Sequence, residues 1–169
     1  MYHKNNPINL ILNIGIILYK FVDDKLYILL YHNKESKYDL IYYKIINDVT
    51  IDDVTIDELV VNRIYDVTNY LILLEEIDTI NDLYDDTTFT LIKFIKLPQK
   101  YFYLKSKDFN YYEVITDDKK IKRELKWIEF KYSNNLIHKI KNTDITKTLN
   151  KIYKKNILYS TLNKIKLYK

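Results

Sequence analysis

An α+β fold with a basic, helical C-terminal end is expected for this 169-residue chain. Three observations predict it. Short runs of β-branched and aromatic residues, broken by Asp-rich turns, fill the N-terminal part, as strands do. After Thr55 the apolar residues recur with the period of a helix. The lysine-rich end carries apolar residues on one helical face, at Ile145, Leu149 and Ile152.

Leu10–Phe21 is apolar and β-branched, Asp23-Asp24 makes a turn, and Leu26–Tyr31 is a second apolar run, so a β-hairpin is expected. The polar loop His32–Lys37 leads to a short strand at Tyr38–Ile41. Ile46–Val54 has no strong period and is expected to be loop. Thr55-Ile56-Asp57-Glu58 has the form of a capping box, in which a Thr hydroxyl accepts from the third helical N–H and the Glu reaches back. Leu59, Val60, Ile64 and Val67 share a face of the helix that follows, which should end near Asn69. Tyr70–Leu74 is expected as a strand, Glu75–Asp86 as an acidic connector, and Thr87–Leu97 as a strand stopped by Pro98. Tyr101–Leu104 should pair with that strand or extend it. Ile121–Lys131 is another strand around Trp127 and Phe130; the single tryptophan is expected in the core. Ser133 or Asn134 caps a short helix through Ile140. Asp144 starts a further helix, and Ile157–Leu167 is helical as well.

Composition excludes several chemistries. A single glycine rules out a phosphate-cradling P-loop, a dinucleotide-binding turn and a nucleophile elbow. The absence of cysteine removes thiol catalysis, disulfides and cysteine-ligated zinc, and suits a reducing compartment such as the cytoplasm. His3, His32 and His138 are isolated from one another and read as ordinary surface or strand histidines. The longest apolar stretch, Ile8–Tyr19, is too short to span a bilayer and lacks a small-residue cleavage site, so neither a membrane partner nor a signal peptide is expected. Ile, Lys, Asn and Tyr make up half the chain, whereas Gly, Ala, Arg and Pro are nearly missing. That bias follows AT-rich coding, as in large DNA viruses, some phages and some protists.

Charge is segregated. Residues 1–118 hold 12 basic and 20 acidic side chains, a net of −8, and residues 119–169 hold 15 basic and 3 acidic, a net of +12. A segment of +12 attracts phosphate backbones, and the attraction falls steeply with salt. Pairing between basic and acidic faces, within the chain or between subunits, is the other reading. No motif for DNA in particular is present.

Four segments in order resemble the Nudix hydrolase family. Gly15, within Asn13-Ile14-Gly15-Ile16-Ile17-Leu18, is similar to the small residue of the first Nudix strand. Tyr38-Asp39-Leu40-Ile41-Tyr42-Tyr43-Lys44-Ile45 resembles W-D-L-P-G-G-K-hydrophobic. Thr55–Glu58 with its apolar continuation resembles the start of the Nudix-box helix, and Glu124-Leu125-Lys126-Trp127-Ile128 the E-x-x-W strand. The resemblance spans roughly residues 10–140. It implies a mixed sheet flanked by helices, with a Nudix-like domain at 1–142 and a basic helical extension at 143–169 packed on it.

The family's box, G-x5-E-x7-R-E-U-x-E-E-x-G-U (U, apolar), uses helix glutamates to hold Mg²⁺ or Mn²⁺. Aligned on Thr55, with about five extra loop residues before it, this chain places Asn62 at the arginine and Arg63 at the first glutamate. Asp66 and Val67 stand at the E-E pair, Asn69 at the later glycine, and Tyr42-Tyr43 at G-G. Only Asp66 keeps a metal-binding acid. The resemblance therefore implies a Nudix fold with a decayed box and no cofactor.

The remnant catalytic candidates are Glu58 and Asp66. A rewired Mg²⁺ or Mn²⁺ site would use Glu58, Asn62 and Asp66, which lie on one helical face, with Glu75 or Glu76; the plainer reading is a solvated face. Tyr42, Tyr43, Lys44 and Arg63 are the ligand-binding candidates, the tyrosines either stacking a base or packing in a strand. Lys139, Lys147, Lys151, Lys154 and Lys155 are the phosphate-binding candidates.

Three functions follow as expectations. One is a non-catalytic module that binds RNA or a nucleotide such as an mRNA cap within a larger complex, in the cytoplasm or, for a virus, its factory. The others are a divergent metal-dependent pyrophosphohydrolase and a scaffold subunit with a protein partner.

Overall fold

The computed structural model describes residues 10–32, 38–45, 53–101, 109–116, 119–131 and 142–167. Among them, a mixed sheet lies between two helices, an α+β architecture.

The sheet is organised on β1 (Asn13–Val22) and β2 (Lys25–His32), the expected hairpin. Its two-residue turn holds Asp23 and Asp24 at φ 51° and 61°. Left-handed residues at both positions match the twist of the flanking strands, and Asp tolerates that conformation better than a branched residue. β3 (Tyr38–Asp39) pairs with β2, and β4 (Ile41–Lys44) pairs with the first half of β1. On the other side of β1 runs β6 (Thr90–Lys96), parallel to it, with β5 (Leu83–Asp85) at the edge beyond. β8 (Lys119–Glu129) continues the sheet past β2 and ends on β7 (Phe109–Thr116).

Helices cover both faces. In α1 (Asp53–Thr68), Ile56, Val60, Ile64 and Val67 are buried against Ile14, Ile16, Leu18, Leu29, Ile95 and Leu125. In α2 (Asn142–Leu167), Ile145, Leu149 and Ile152 cover Ile17, Leu26, Ile28, Leu30, Ile92 and Phe94. Each such aliphatic contributes about 1.5–3 kcal/mol when fully buried. Cover on both faces explains why β1 and β6 read as continuous apolar runs rather than alternating ones. Gly15 faces α2, where a Cβ would lie 2.9 Å from Leu40 Cδ1 and 3.6 Å from Ile92 Cγ1, so a side chain there would crowd the packing.

Several elements differ from expectation. α1 begins at Asp53, so Thr55 and Glu58 lie inside the helix rather than forming a capping box. The helix ends as expected, with Asn69 left-handed at φ 61° and its N–H donating to the Tyr65 carbonyl at 2.8 Å. Tyr70–Leu74 is not a strand. Tyr70 and Ile72 are buried and Leu71 and Leu73 exposed, but Tyr101 replaces the ladder: the Leu71 N–H donates to Tyr101 Oη at 2.8 Å.

The acidic connector contains β5, and a turn at 86–89 delays β6 to Thr90. Asp85 organises that turn, accepting from the Thr87 N–H at 3.1 Å and from the Thr87 and Thr88 hydroxyls at 2.7 and 2.8 Å. Gln99–Tyr101 is a 3-10 turn, so Tyr101 does not extend β6, and the rest of the strand expected at Tyr101–Leu104 lies outside the described residues. β7 was not anticipated. The C-terminal helices expected from Asp144 and at Ile157–Leu167 are one helix of 26 residues. The helix expected at Ser133–Ile140 lies outside the described residues, apart from which no helix among those described is long and apolar enough to cross a membrane.

Candidate functional site

Helix α1 presents two kinds of surface. Glu58, Asn62 and Asp66 are exposed, one turn apart along its outer face. Val67, at one of the aligned glutamate positions, is only 4% exposed and belongs to the core. Arg63 is half-buried and its Nε donates to the Tyr42 carbonyl at 3.1 Å, tying α1 to β4. Glu75 and Glu76 lie exposed on the 3-10 turn Leu74–Glu76. Among the described residues, no group of three or more His, Asp or Glu side chains is placed to hold a metal ion.

Tyr42 and Tyr43 do not form one platform. Consecutive strand residues point to opposite faces, so Tyr43 packs with the core under α1 and Tyr42 with the core under α2. Burial, reinforced by the neighbouring Asp39 carboxylate, raises the Tyr42 pKa and keeps its hydroxyl protonated. Asp39 is itself buried and accepts the Leu40 N–H at 2.8 Å. Lys44 is exposed at the end of β4, opposite Asn13.

A buried cation lies beneath α1. Lys93 stands mid-strand in β6 with 1% of its surface exposed, between Ile92 and Phe94 in sequence. Its Nζ is 2.8 Å from Asp82 Oδ2 and 3.4 Å from Asp57 Oδ1 of α1. Burial pushes the Asp82 carboxyl up to about 6, against the lowering influence of Lys93, and its Oδ1 has no hydrogen-bond partner among the described residues. Sequence reasoning missed this cluster; a lysine inside an apolar strand was the available signal.

A second buried lysine, Lys20, sits with its Nζ 4.2 Å from the centre of the Trp127 ring. Burial lowers its pKa. Trp127 is half-buried at the margin of the core under α1, rather than fully within it.

Helix α2 turns Lys147, Lys151, Lys154 and Lys155 to solvent while Ile145, Leu149 and Ile152 face the sheet. Lys147, Lys151 and Lys155 follow one another at single-turn spacing, over about 12 Å of helix. Lys139 lies outside the described residues.

No protein-family model matches the chain, and no curated protein matches it. The functional reading therefore rests on these side chains. Of the residues singled out by sequence, Arg63 and Tyr42 are joined through a backbone carbonyl, and the α2 lysines share one helix.

Proposed function

We propose that the protein is a non-catalytic module of Nudix type that binds RNA or a nucleotide, with α2 supplying the phosphate contacts. The observation that carries this reading is the row of outward lysines on a helix whose opposite face is packed into the sheet. A row fixed in this way holds several ammonium groups at constant spacing, which suits a phosphodiester chain more than a single small anion.

Loss of hydrolysis is supported at α1. Arg63 repels a divalent cation and is engaged with Tyr42, and Val67 is in the core. Glu58 and Asp66 are exposed and, among the described residues, belong to no cluster of acids, short of the six or so oxygen ligands that a hard cation takes.

The test is fluorescence anisotropy of a labelled single-stranded RNA across a salt series, beside an assay of capped RNA, dinucleoside polyphosphates and ADP-ribose with Mg²⁺ or Mn²⁺. Contacts by four lysines predict a slope of log K against log salt of about −3. Lys147→Ala with Lys151→Ala reduces the magnitude of that slope by about 1.4. Absence of RNA and nucleotide binding at low salt refutes the binding reading. Turnover that disappears in Asp66→Asn establishes the hydrolase instead.

A scaffold role has its own support in the last turns of α2, where Leu158, Leu162 and Ile165 are exposed at 59%, 44% and 50%. Salt-dependent self-association or a co-purifying protein would favour it.

A further inference from the structure

Where α2 passes the ends of β1 and β6, the surface opens into a cleft of about 190 Å³. It is on the α2 face of the sheet, the face opposite α1 and its box residues. Three aromatic side chains, Tyr19, Phe21 and Tyr159, line it. Tyr19 and Phe21 are alternate residues of β1 and so share this face, meeting edge to face with centroids 6.1 Å apart. Lys96, the register partner of Tyr19 on β6, adds an ammonium 6.0 Å from the Phe21 ring centre. Lys155 adds a second from α2.

Among the described residues, neither Lys96 nor Lys155 is paired with a carboxylate, and the side-chain amides of Asn81 and Asn156, also in the lining, make no hydrogen bond. Asp78 is the one acid of the lining, and its Oδ1 accepts the Ile80 N–H at 2.9 Å. The cleft thus offers an aromatic wall together with two cations and two side-chain amides that have no partner among the described residues. Aromatic faces stack any base, lysines neutralise phosphate, and amides together with one carboxylate match the polar edges of a base or the hydroxyls of a ribose. An apolar metabolite would leave the cations and amides unused, and a simple anion would leave the rings unused.

We propose that this cleft takes one nucleotide of a single-stranded RNA, its base against Tyr159 and Phe21 and its phosphate against Lys96 and Lys155. Lys155 is shared with the row Lys147–Lys151–Lys155, so a strand lying along α2 reaches the cleft at the end of that row. The proposal rests on the RNA-binding reading for the strand that delivers the nucleotide, while the cleft itself is specific to a nucleoside monophosphate.

The experiment separates the two. The full chain is titrated with 5′-UMP and 5′-AMP by NMR or calorimetry, and with a labelled short oligouridylate by anisotropy at low salt. Tyr159 is 59% exposed, so Tyr159→Ala leaves the fold intact. This variant is expected to weaken both mononucleotide and RNA binding about tenfold or more, with Tyr159→Phe restoring both. Lys147→Ala with Lys151→Ala is expected to weaken RNA alone. RNA binding that is unchanged in Tyr159→Ala, with no mononucleotide binding at millimolar concentration, overturns the cleft and leaves the lysine row standing. Mononucleotide binding that depends on Tyr159, with no RNA binding, keeps the cleft and overturns the strand along α2.

Discussion

Lys93 gives the sharpest test of how the layer under α1 is held together. Its ammonium is fully buried and faces Asp82 at 2.8 Å and Asp57 at 3.4 Å. Taking away one member of a buried pair strands the other, at a cost of about 3–5 kcal/mol. In Asp82→Ala, Asp57 remains as a counter-charge, so the lower end, about 3 kcal/mol at pH 7, is expected. Replacing both members with apolar residues, as in Lys93→Met with Asp82→Leu, should recover most of that cost, because the one carboxylate left without its partner, Asp57, is 21% exposed and can be solvated.

The pH dependence is a second readout of the same cluster. Burial pushes the Asp82 carboxyl up to about 6 in the folded chain, from 3.8 for a solvated carboxyl. The native state therefore binds the extra proton between those values, and stability falls as pH rises through them. The contribution is fully present below about pH 4 and lost above about pH 6, and is at most about 3 kcal/mol. Urea denaturation followed by circular dichroism at pH 4, 5, 6 and 7 measures it. Asp82→Asn should flatten that limb. Lys93→Met should move it to higher pH, because Lys93 is what lowers the Asp82 value from its fully desolvated level. A cost below about 1 kcal/mol for Asp82→Ala, or a limb that persists in Asp82→Asn, would refute the assignment.

Other substitutions test single contacts. Tyr101→Phe removes the hydroxyl that bonds the Leu71 backbone and is expected to cost about 0.5–1.5 kcal/mol in urea denaturation. Asn69 has φ 61°, so Asn69→Gly should be neutral or slightly stabilising, whereas Asn69→Val should lower the melting temperature by an amount equivalent to about 1 kcal/mol or more. Gly15→Ala should cost about 1–3 kcal/mol by thermal denaturation, because its Cβ would meet Leu40 at 2.9 Å.

What was legible in the residues depended on how local the cause was. The hairpin was readable because two aspartates separate two apolar runs, and its turn needs nothing from elsewhere. The inner face of α1 was readable from its period, and the α2 lysine row from single-turn spacing. Tyr70–Leu74 misled because alternation reports burial in an extended chain, not a ladder; its partner is a tyrosine 30 residues away. β7 could have been found, since Phe109–Thr116 is rich in aromatic and branched residues and meets β8 across the Asp117-Asp118 turn signal. The Lys93 cluster could not be assembled from sequence, because its acids come from α1 and from the segment before β5. The cleft draws residues from β1, β6, the 78–81 segment and α2, and no spacing rule links them.

On the proposed Nudix alignment, the positions that would form the box make structural contacts in this fold. Val67 lies in the core, and Arg63 bonds the backbone of β4 at Tyr42. Tyr42 and Tyr43 pack against opposite cores rather than onto one surface. On that alignment each contact occupies a place where a phosphate-binding loop would need open backbone and free carboxylates, so introducing acids alone would not make a site. Arg63→Glu with Val67→Glu is therefore expected to destabilise the fold, through a lost backbone bond and a carboxylate forced into the core, without producing turnover. Metal-dependent hydrolysis by that variant would refute the proposal that α1 carries no metal site.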